Sequence, residues 1–336
     1  MLPIGVIVPT KNSAAFLPEH LASLRDWLDL VQEVVVVDSF STDGTPDLIK
    51  AGLRHPRLTL ATHPPGLYQS WNHGIAQVSA KYVYIATVGD PMTRQGLQHL
   101  CAAAEALAAD VVISKPRFID CAGQPVPDID WPIDDIVSTL RVTQPRRLRP
   151  CEALLFAITN PNAAMLGSCA SNLFRTEVLQ RFPFPADFGT AGDGAWGVLH
   201  AAEVAWAVVP ERCSSFRQHP TNASAAERTS YRQARRLDEV ARQAVAAARQ
   251  TGTLSADDLA RLRIDELVVA LSTYLAGKAA FDQFRKAQWP WIVRPTAWRA
   301  RTRRNRAQAR MRALKTQALC ALAETAPTVA GRALGT

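Results

Sequence analysis

Four consecutive valines, Val34 to Val37, run directly into Asp38. A run of β-branched residues without polar alternation is typical of a strand buried on both faces, the usual state of a central strand in a parallel sheet. Asp38 then falls at the carboxyl end of this predicted strand. Ligands of open α/β sheets bind in the crevice beyond those ends, so the sequence puts a carboxylate where a ligand is expected.

Strand and helix patterns alternate over the first hundred residues. Short apolar runs that predict strands are separated by stretches with helical periodicity. The predicted strands cover residues 4–8, 34–37, 58–61 and 82–86, and predicted helices follow the first three of them. This alternation predicts a Rossmann-like α/β half, with a mostly parallel sheet flanked by helices.

The pattern becomes less regular after residue 108. We predict an edge strand over 110–114, a surface excursion over 128–135, an irregular region over 167–172, a helix over 176–181, a helix opened by Asp193 and a strand over 205–209. Beyond residue 224 the composition shifts to Ala and Arg with helical periodicity. We therefore divide the chain into a domain over 1–224 and a helical C-terminal region over 225–336.

The composition is that of a globular protein. Of the 336 residues, 48% are hydrophobic and 20% are charged, and no segment reaches the roughly 18 uncharged apolar residues of a membrane span. Because the first apolar stretch is short and ends at Pro9, no signal peptide is recognised, and a cytoplasmic protein is predicted. The six cysteines are scattered without a C-x-x-C pair, so we expect free, mostly buried thiols.

The segment Ile7-Val8-Pro9-Thr10-Lys11-Asn12, followed by residues 36–45 (VVDSFSTDGT), resembles the N-terminal signature of family-2 glycosyltransferases of the GT-A fold. Residues 67–75 and 82–85 extend the match in order and at the family's spacing. The resemblance implies a hexosyltransferase of polysaccharide biosynthesis, usually inverting and usually dependent on Mg²⁺ or Mn²⁺. The implied partners are a nucleotide-sugar donor and a glycan or lipid-linked acceptor.

Nucleotide binding is assigned by this resemblance to residues that follow the first two strands. Asp38 can accept hydrogen bonds from ribose hydroxyls or a base N–H, and Pro9 and Thr10 are expected to flank the base. Asn12 and Ser39 complete the expected nucleotide site, although the family often carries an acid where Ser39 stands. A turn-capping role for Asp38 is the alternative.

The family usually ends its fourth strand in an Asp-x-Asp or Asp-Asp pair that holds the metal against the diphosphate. Here the pair reads Gly89-Asp90, so only Asp90 carries a carboxylate. Because Mg²⁺ and Mn²⁺ can bind through one carboxylate plus phosphate oxygens, this weakens the site without excluding it. His219 falls where many relatives carry a histidine near the donor phosphates, and Arg217 is expected to offset phosphate charge. The candidate metal ligands are Asp90 and His219, with a turn acid and a structural histidine as the alternatives.

Residues 187–197 resemble the acceptor-side motif in which the family places its general base. Inverting transfer needs a carboxylate to take the proton from the acceptor hydroxyl, and Asp193 fits that role. Trp196 is expected to stack on the acceptor sugar, and Ser171 and Asn172 are expected to line the acceptor side. The alternatives are a helix N-cap followed by a core tryptophan for Asp193 and Trp196, and a plain polar loop for Ser171 and Asn172.

Two other functions compete with glycosyl transfer. The missing carboxylate at Gly89 suggests a sugar-nucleotide or glycan-binding module with the same fold that has lost turnover, but such a module has no need of Asp193. A dinucleotide-dependent oxidoreductase would suit the sheet pattern. No G-x-G-x-x-G follows the first strand, which argues against it.

The net charge of +8 is concentrated near the C-terminus. Residues 283–323 contain no acid and many arginines, together with Trp289, Trp291 and Trp298. Interfacial aromatics beside cations suit an anionic membrane surface, so peripheral association with the inner face of a membrane is one prediction. A solvated helix that packs on the catalytic domain is the alternative. Charge alone would suit a nucleic acid, but no nucleic-acid motif accompanies it and none is expected to bind.

Overall fold

The computed structural model describes residues 1–160, 164–218, 231–286 and 295–325. Its first four strands are parallel neighbours in the spatial order β3-β2-β1-β4. The strands are β1 Ile4–Thr10, β2 Glu33–Asp38, β3 Leu58–Thr62 and β4 Tyr82–Ile85, and the helices between them are α1 Leu17–Arg25, α2 Thr45–Gly52 and α3 Leu67–Ile75. The predicted Rossmann-like half is confirmed.

The valine run lies on β2 and is buried on both faces of the sheet. Val35 and Val37 pack in the hydrophobic cluster that includes α3, whereas Val34 and Val36 pack in the cluster that includes α1. This division follows from the two-residue period of a strand. At the end of β2, Asp38 pairs in register with Thr10 of β1 and with β3. The carboxylate therefore stands at the carboxyl edge of the sheet, as predicted.

An antiparallel strand, β8 (Leu173–Arg175), interrupts the parallel order. It pairs with β4 on one side and with β5 (Val111–Ser114) on the other. The sheet then continues through β9 (Trp206–Val209) to β7 (Arg146–Arg147), which completes eight strands. The prediction of an edge strand over residues 110–114 is wrong, because β8 and β9 flank β5. We missed β8, since a three-residue strand is too short to reveal its periodicity.

Five further helices and a small second sheet surround this core. The helices are α4 Arg94–Ala106, α5 Pro132–Leu140, α6 Pro150–Thr159, α7 Thr176–Arg181 and α8 Gly192–Leu199. The second sheet pairs β6 (Arg117–Ile119) with β10 (Ser215–Arg217) in parallel. The surface excursion predicted over 128–135 is only partly correct, because α5 begins at Pro132. The helix predicted over 176–181 is confirmed as α7.

The described part of the C-terminal region is helical, as predicted. Its described helices are α9 Tyr231–Gln250, α10 Ala256–Arg261, α11 Ile264–Lys286 and α12 Pro295–Thr325. Their buried side chains, Leu237 and Leu322 among them, belong to the same hydrophobic cluster as Trp196 of α8. The predicted boundary near residue 224 lies outside the described residues and stays a prediction. None of the described helices combines the length and apolarity that crossing a membrane requires.

All six cysteines are free, in agreement with the prediction. Four of them are buried and two are exposed: Cys101, Cys151, Cys169 and Cys213 are buried, and Cys121 and Cys320 are exposed.

Candidate active site

The Asp38 carboxylate is held in place by three hydrogen bonds. Its Oδ1 accepts from the hydroxyls of Thr10 (2.8 Å) and Ser41 (2.6 Å), and its Oδ2 accepts from the Ser41 backbone N–H (2.9 Å). The turn-capping role considered as the alternative is therefore present. Asp38 nevertheless keeps 8% of its surface exposed at the carboxyl edge. A contact with ribose or base there stays a prediction.

The loop after β1 and the loop after β2 are tied to each other. Lys11 Nζ donates to the carbonyl oxygens of Ser39 (2.8 Å) and Phe40 (3.1 Å). The backbone N–H of Asn12 donates to Ser41 Oγ at 2.8 Å. Asn12 itself is exposed, as is Lys11. These contacts bring Asn12 and Asp38 together at the carboxyl edge. Thr10 is 3% exposed, and its hydroxyl is bonded to Asp38, which corrects the expectation that the Thr10 side chain flanks the base.

Phe40 and Lys11 are residues of this surface that the sequence reasoning missed. The Phe40 side chain is 54% exposed, and its φ of 52° lies in the left-handed region that bulky residues rarely adopt. The two hydrogen bonds from Lys11 hold the backbone in that conformation. The available signal was one aromatic residue within a loop of small hydroxyl residues. An exposed ring beside Asp38 suits contact with a nucleotide base.

The Ser39 side chain is buried against α3. Its Oγ lies 2.8 Å from Ser70 Oγ, and both residues are 4% exposed. This corrects the expectation that the Ser39 side chain touches the nucleotide, because its hydroxyl is already bonded inside the protein. The same contact joins β2 to α3.

Helix α3 connects this surface to the region of the candidate base. The hydroxyl of Tyr68, near the start of α3, donates to the carbonyl oxygen of Thr190 (3.0 Å) and shares this hydrogen with the Asp193 carboxylate. A Cβ atom on Gly192 would lie 2.4 Å from the Tyr68 ring and 2.5 Å from the Pro185 carbonyl oxygen. Only glycine therefore permits this close approach of Tyr68 to the start of α8.

Asp193 lies in the first turn of α8, where the helix dipole favours a negative charge. It is half-buried, and its Oδ1 accepts from the Gly194 backbone N–H at 2.7 Å. Burial raises the pKa of its carboxyl to about 6, and hydrogen bonding from Tyr68 partly opposes that rise. A carboxylate with such a pKa can accept a proton near neutral pH. The structure therefore puts Asp193 in an environment suited to general-base chemistry.

Trp196 is a core residue, which corrects its assignment to the acceptor site. It is 0% exposed, and its indole N–H donates to the Phe182 carbonyl oxygen at 2.6 Å. Its ring packs against Trp206 with centroids 5.9 Å apart. A fully enclosed ring cannot stack on a sugar. The alternative weighed from the sequence, a buried tryptophan one turn into the helix, is what the fold contains.

Ser171 and Asn172 are likewise enclosed and do not line an acceptor surface. Asn172 is 0% exposed, and its amide donates to the carbonyl oxygens of Leu166 and Ser168, both at 2.9 Å. Ser171 is 1% exposed and its Oγ accepts from Ser214 at 3.0 Å. Both residues brace the chain just before β8. These residues are polar because the buried backbone groups around them need hydrogen-bond partners.

Asp90 closes the turn after β4 and is only 7% exposed. Its Oδ1 accepts from the Arg217 backbone N–H at 2.9 Å. Burial raises the pKa of its carboxyl to about 7, although Arg217 opposes the rise. The preceding Gly89 has a φ of 100°, where a side chain would strain the backbone. This conformation gives a physical reason why the usual second carboxylate of the pair is missing.

Arg217 is a structural cation, which corrects the expectation that it meets the donor phosphates. Its Nε donates to the Gly89 carbonyl oxygen at 3.1 Å, and Nη1 donates to those of Asp120 (3.0 Å) and Cys121 (2.9 Å). Its Nη2 pairs with Glu19 of α1, and its side chain is 1% exposed. The guanidinium thus stabilises the turn that contains Gly89 and Asp90 through its hydrogen bond to the Gly89 carbonyl oxygen.

The proposed metal ligands are tested only in part. His219 lies outside the described residues. Within the residues that the structure describes, no three His, Cys, Asp or Glu side chains are grouped as a metal site would require. The Asp90 carboxylate is a hard oxygen donor, and burial disfavours its charged form despite the nearby Arg217. It fits an ion such as Mg²⁺ or Mn²⁺ whose other ligands are phosphate oxygens and water.

The family model of Glycosyl transferase family 2 matches residues 5–176, slightly more than half of the chain. The matched range contains Asp38 and Asp90 and ends before Asp193. Among curated proteins, poly(ribitol-phosphate) beta-N-acetylglucosaminyltransferase TarS of Staphylococcus aureus is 30% identical over 132 residues. That alignment covers 37% of this chain and only 23% of the relative.

Two solved structures share the fold at low sequence identity. The S. aureus TarS fragment 1-349 in complex with UDP-GlcNAc has a TM-score of 0.60 and 17% identity, covering 93% of this chain and 90% of that one. The mannosyltransferase PcManGT from Pyrobaculum calidifontis, in complex with GDP-Man and Mn²⁺, has a TM-score of 0.50 and 22% identity, covering 97% and 87%. Together with the family match over β1 to β8, the mostly parallel sheet identifies the chain as a member of Glycosyl transferase family 2 with the GT-A fold.

Proposed function

We propose that this protein is an inverting glycosyltransferase that moves a hexosyl group from a nucleotide-sugar donor to a hydroxyl of a glycan or lipid-linked acceptor. The observation that carries the proposal is Asp193, a half-buried carboxylate at a helix start whose pKa is raised to about 6. Membership of the family supports the reaction class. The two solved structures of the same fold hold UDP-GlcNAc and GDP-Man, which supports a nucleotide-sugar donor of this kind.

The donor nucleotide is proposed to bind at the carboxyl edge formed by β1 and β2. Thr10 and Ser41 orient the Asp38 carboxylate, which leaves its remaining lone pairs for ribose hydroxyls or a base N–H. Pro9 and the exposed Phe40 flank the same surface. The rigid attachment of the two loops through Lys11 means that this surface needs little reordering when a nucleotide binds.

The donor diphosphate is proposed to lie beside Asp90. Burial makes the ionised form of this carboxyl costly, so a nearby cation would stabilise it. Asp90 would hold a bound Mg²⁺ or Mn²⁺, which would offset the charge of the departing diphosphate. The backbone N–H of Arg217 positions the Asp90 carboxylate, and the Arg217 guanidinium binds the Gly89 carbonyl oxygen of the same turn.

Asp193 is proposed to act on the acceptor. Its carboxylate takes the proton of the acceptor hydroxyl while that oxygen attacks the anomeric carbon from the face opposite the diphosphate. A new bond joins the acceptor oxygen to the anomeric carbon as the bond to the diphosphate oxygen breaks. Attack from the opposite face inverts the anomeric configuration. The Tyr68 hydrogen bond keeps the Asp193 pKa below the value that burial alone would give, so the base is ionised at neutral pH.

The test combines a donor screen with one substitution. Thermal-shift and hydrolysis assays with UDP- and GDP-sugars, with and without Mn²⁺, should identify a stabilising donor. Asp193→Asn should then lower turnover by about 10² to 10⁴ while donor affinity changes little, because the base acts only as the transition state forms. Near-normal transfer by Asp193→Asn to an identified acceptor would place the base elsewhere.

The hypothesis of a binding module predicts a different result in the same experiment. A module without turnover would bind a nucleotide sugar but release no nucleoside diphosphate, with or without Asp193. The raised Asp193 pKa favours the enzyme, because turnover needs a carboxylate that exchanges a proton near neutral pH, whereas a binding surface does not.

A further inference from the structure

Helices α11 and α12 form a shallow groove on the side of the protein made by the C-terminal region. The groove has a volume of about 490 Å³. Its apolar walls include Val269 and Ala270 of α11 and Trp298 and Ala307 of α12. The helices approach closely farther along, where a Cβ atom on Gly277 would lie 2.9 Å from the Arg304 Cα. The groove thus lies between two closely packed helices.

Four arginines of α12 line the same groove: Arg299, Arg303, Arg306 and Arg310. Their spacing of four, three and four residues puts them on one face of the helix. They span roughly 16 Å along the axis, at 1.5 Å per residue. Lys315 of α12 pairs with Asp135 of α5, which helps to fix the orientation of the helix on the protein. We call these four residues the arginine stripe.

The arginine stripe is not neutralised by the part of the chain that the structure describes. Arg299, Arg303 and Arg306 have no acidic partner there, and Arg310 has only Glu266 at 3.8 Å, with both side chains exposed. Like charges three and four residues apart on a helix repel each other. The stripe therefore costs the isolated helix some stability, and an external anion would relieve the repulsion.

Exposed apolar side chains accompany the stripe. Trp298 is 58% exposed and Val269 is 61% exposed. An aromatic ring beside guanidinium groups suits the interface of a bilayer, where the ring lies among the headgroups and the cations meet their phosphates. A nucleic acid duplex, whose bases are already stacked, or a soluble polyanion would use the cations but leave the exposed valine and the apolar part of the indole in water.

We propose that the α11–α12 groove binds the anionic phospholipid headgroups of a bilayer surface, with the arginine stripe on the phosphates and Trp298 at the interface. This inference needs no assumption about glycosyl transfer. The binding can be measured without donor or acceptor, so its failure would leave the proposed reaction untouched. The membrane contact predicted for the basic segment is thus assigned to the surface formed by α11 and α12.

The test is co-sedimentation of the full chain with phosphatidylcholine vesicles that do or do not contain phosphatidylglycerol. Wild-type protein should bind only the anionic vesicles. Each basic residue near an anionic bilayer contributes about a fivefold change in binding, so Arg303→Gln with Arg306→Gln should weaken binding by roughly 25-fold. Trp298→Gln should weaken the binding that persists at high salt, where the charges are screened.

The matched control is Arg301→Gln with Arg312→Gln, which removes the same charge from the same helix. Arg312 follows Arg310 by two residues, so it projects from a different side of α12, and Arg301 is related to Arg299 in the same way. The binding of this control variant to anionic vesicles should weaken by less than about fivefold. Equal losses in the two double variants would overturn the proposal, as would stronger binding to duplex DNA or soluble polyphosphate at matched phosphate concentration. Unchanged melting temperatures in all variants would exclude unfolding as the cause.

Discussion

The backbone N–H of Arg217 donates to Oδ1 of Asp90 at 2.9 Å, joining two residues 127 positions apart in the chain. The Arg217 guanidinium at the same time binds the carbonyl oxygen of Gly89. One buried arginine therefore sets both the backbone of the turn after β4 and the orientation of its carboxylate. That carboxylate has a pKa raised to about 7 by burial, so a cation beside it would stabilise its charged form.

Asp90→Asn is expected to abolish the response of donor binding to metal. The amide oxygen can still accept from the Arg217 N–H, so the turn should persist while the charge is lost. Loss of a charge-assisted contact should weaken nucleoside diphosphate binding in Mn²⁺ by roughly 10- to 150-fold. Calorimetric titration with and without Mn²⁺ measures this. An unchanged metal response would mean that Asp90 is only a turn residue.

The pH profile of kcat/KM should show an acidic limb near pH 6. Asp193 must be ionised to accept a proton, and burial raises its pKa to about 6, so activity should fall about tenfold per pH unit below that value. Asp193→Asn should lack this limb. Because the Tyr68 hydrogen bond lowers the Asp193 pKa, Tyr68→Phe should move the limb to higher pH. A limb unaffected by both substitutions would have to belong to another group.

Asp38→Ala should weaken nucleotide binding as well as the fold. It removes the acceptor of three hydrogen bonds from Thr10 and Ser41 and, in our proposal, a ligand contact worth about 1.5 to 3 kcal/mol. Asp43→Ala is the matched control, because Asp43 ties the same loop to Ala14 and Thr45. Melting temperature and calorimetry of both variants separate the two effects. Equal loss of affinity in both would indicate that Asp38 acts only through the loop.

His20 should make the protein sensitive to acid. It is 3% exposed, and burial lowers its pKa to about 4, an effect that a backbone hydrogen bond with Ala86 only partly opposes. A lowered folded-state pKa stabilises the fold above pH 6.5, and this stability is lost as the pH falls towards 4. The difference from 6.5 corresponds to about 3 kcal/mol at roughly 1.4 kcal/mol per pH unit.

His20→Leu should therefore flatten the dependence of unfolding free energy on pH between 7 and 4, as followed by urea denaturation. A wild-type slope in His20→Leu would contradict this account.

The residues whose predicted roles were wrong have neighbours from distant parts of the chain. Trp196, Ser171 and Asn172 have the composition of a sugar-binding surface, and only the packing of α8 and β8 reveals that all three are enclosed. Arg217 has the charge expected of a phosphate ligand, but its partners are carbonyl groups near residues 89 and 120 and a carboxylate on α1. No local pattern reports such contacts.

The sequence by itself determined the parallel half of the sheet and the position of Asp38 on it, because a run of valines has one favourable environment and strand direction decides which edge Asp38 reaches. It also located Asp193 at a helix start, where glycine and acid are local signals. Only the tertiary structure decided which polar residues face the crevice and which brace the core. It also determined the raised pKa values of Asp90 and Asp193, since burial depends on elements that are far apart in the chain.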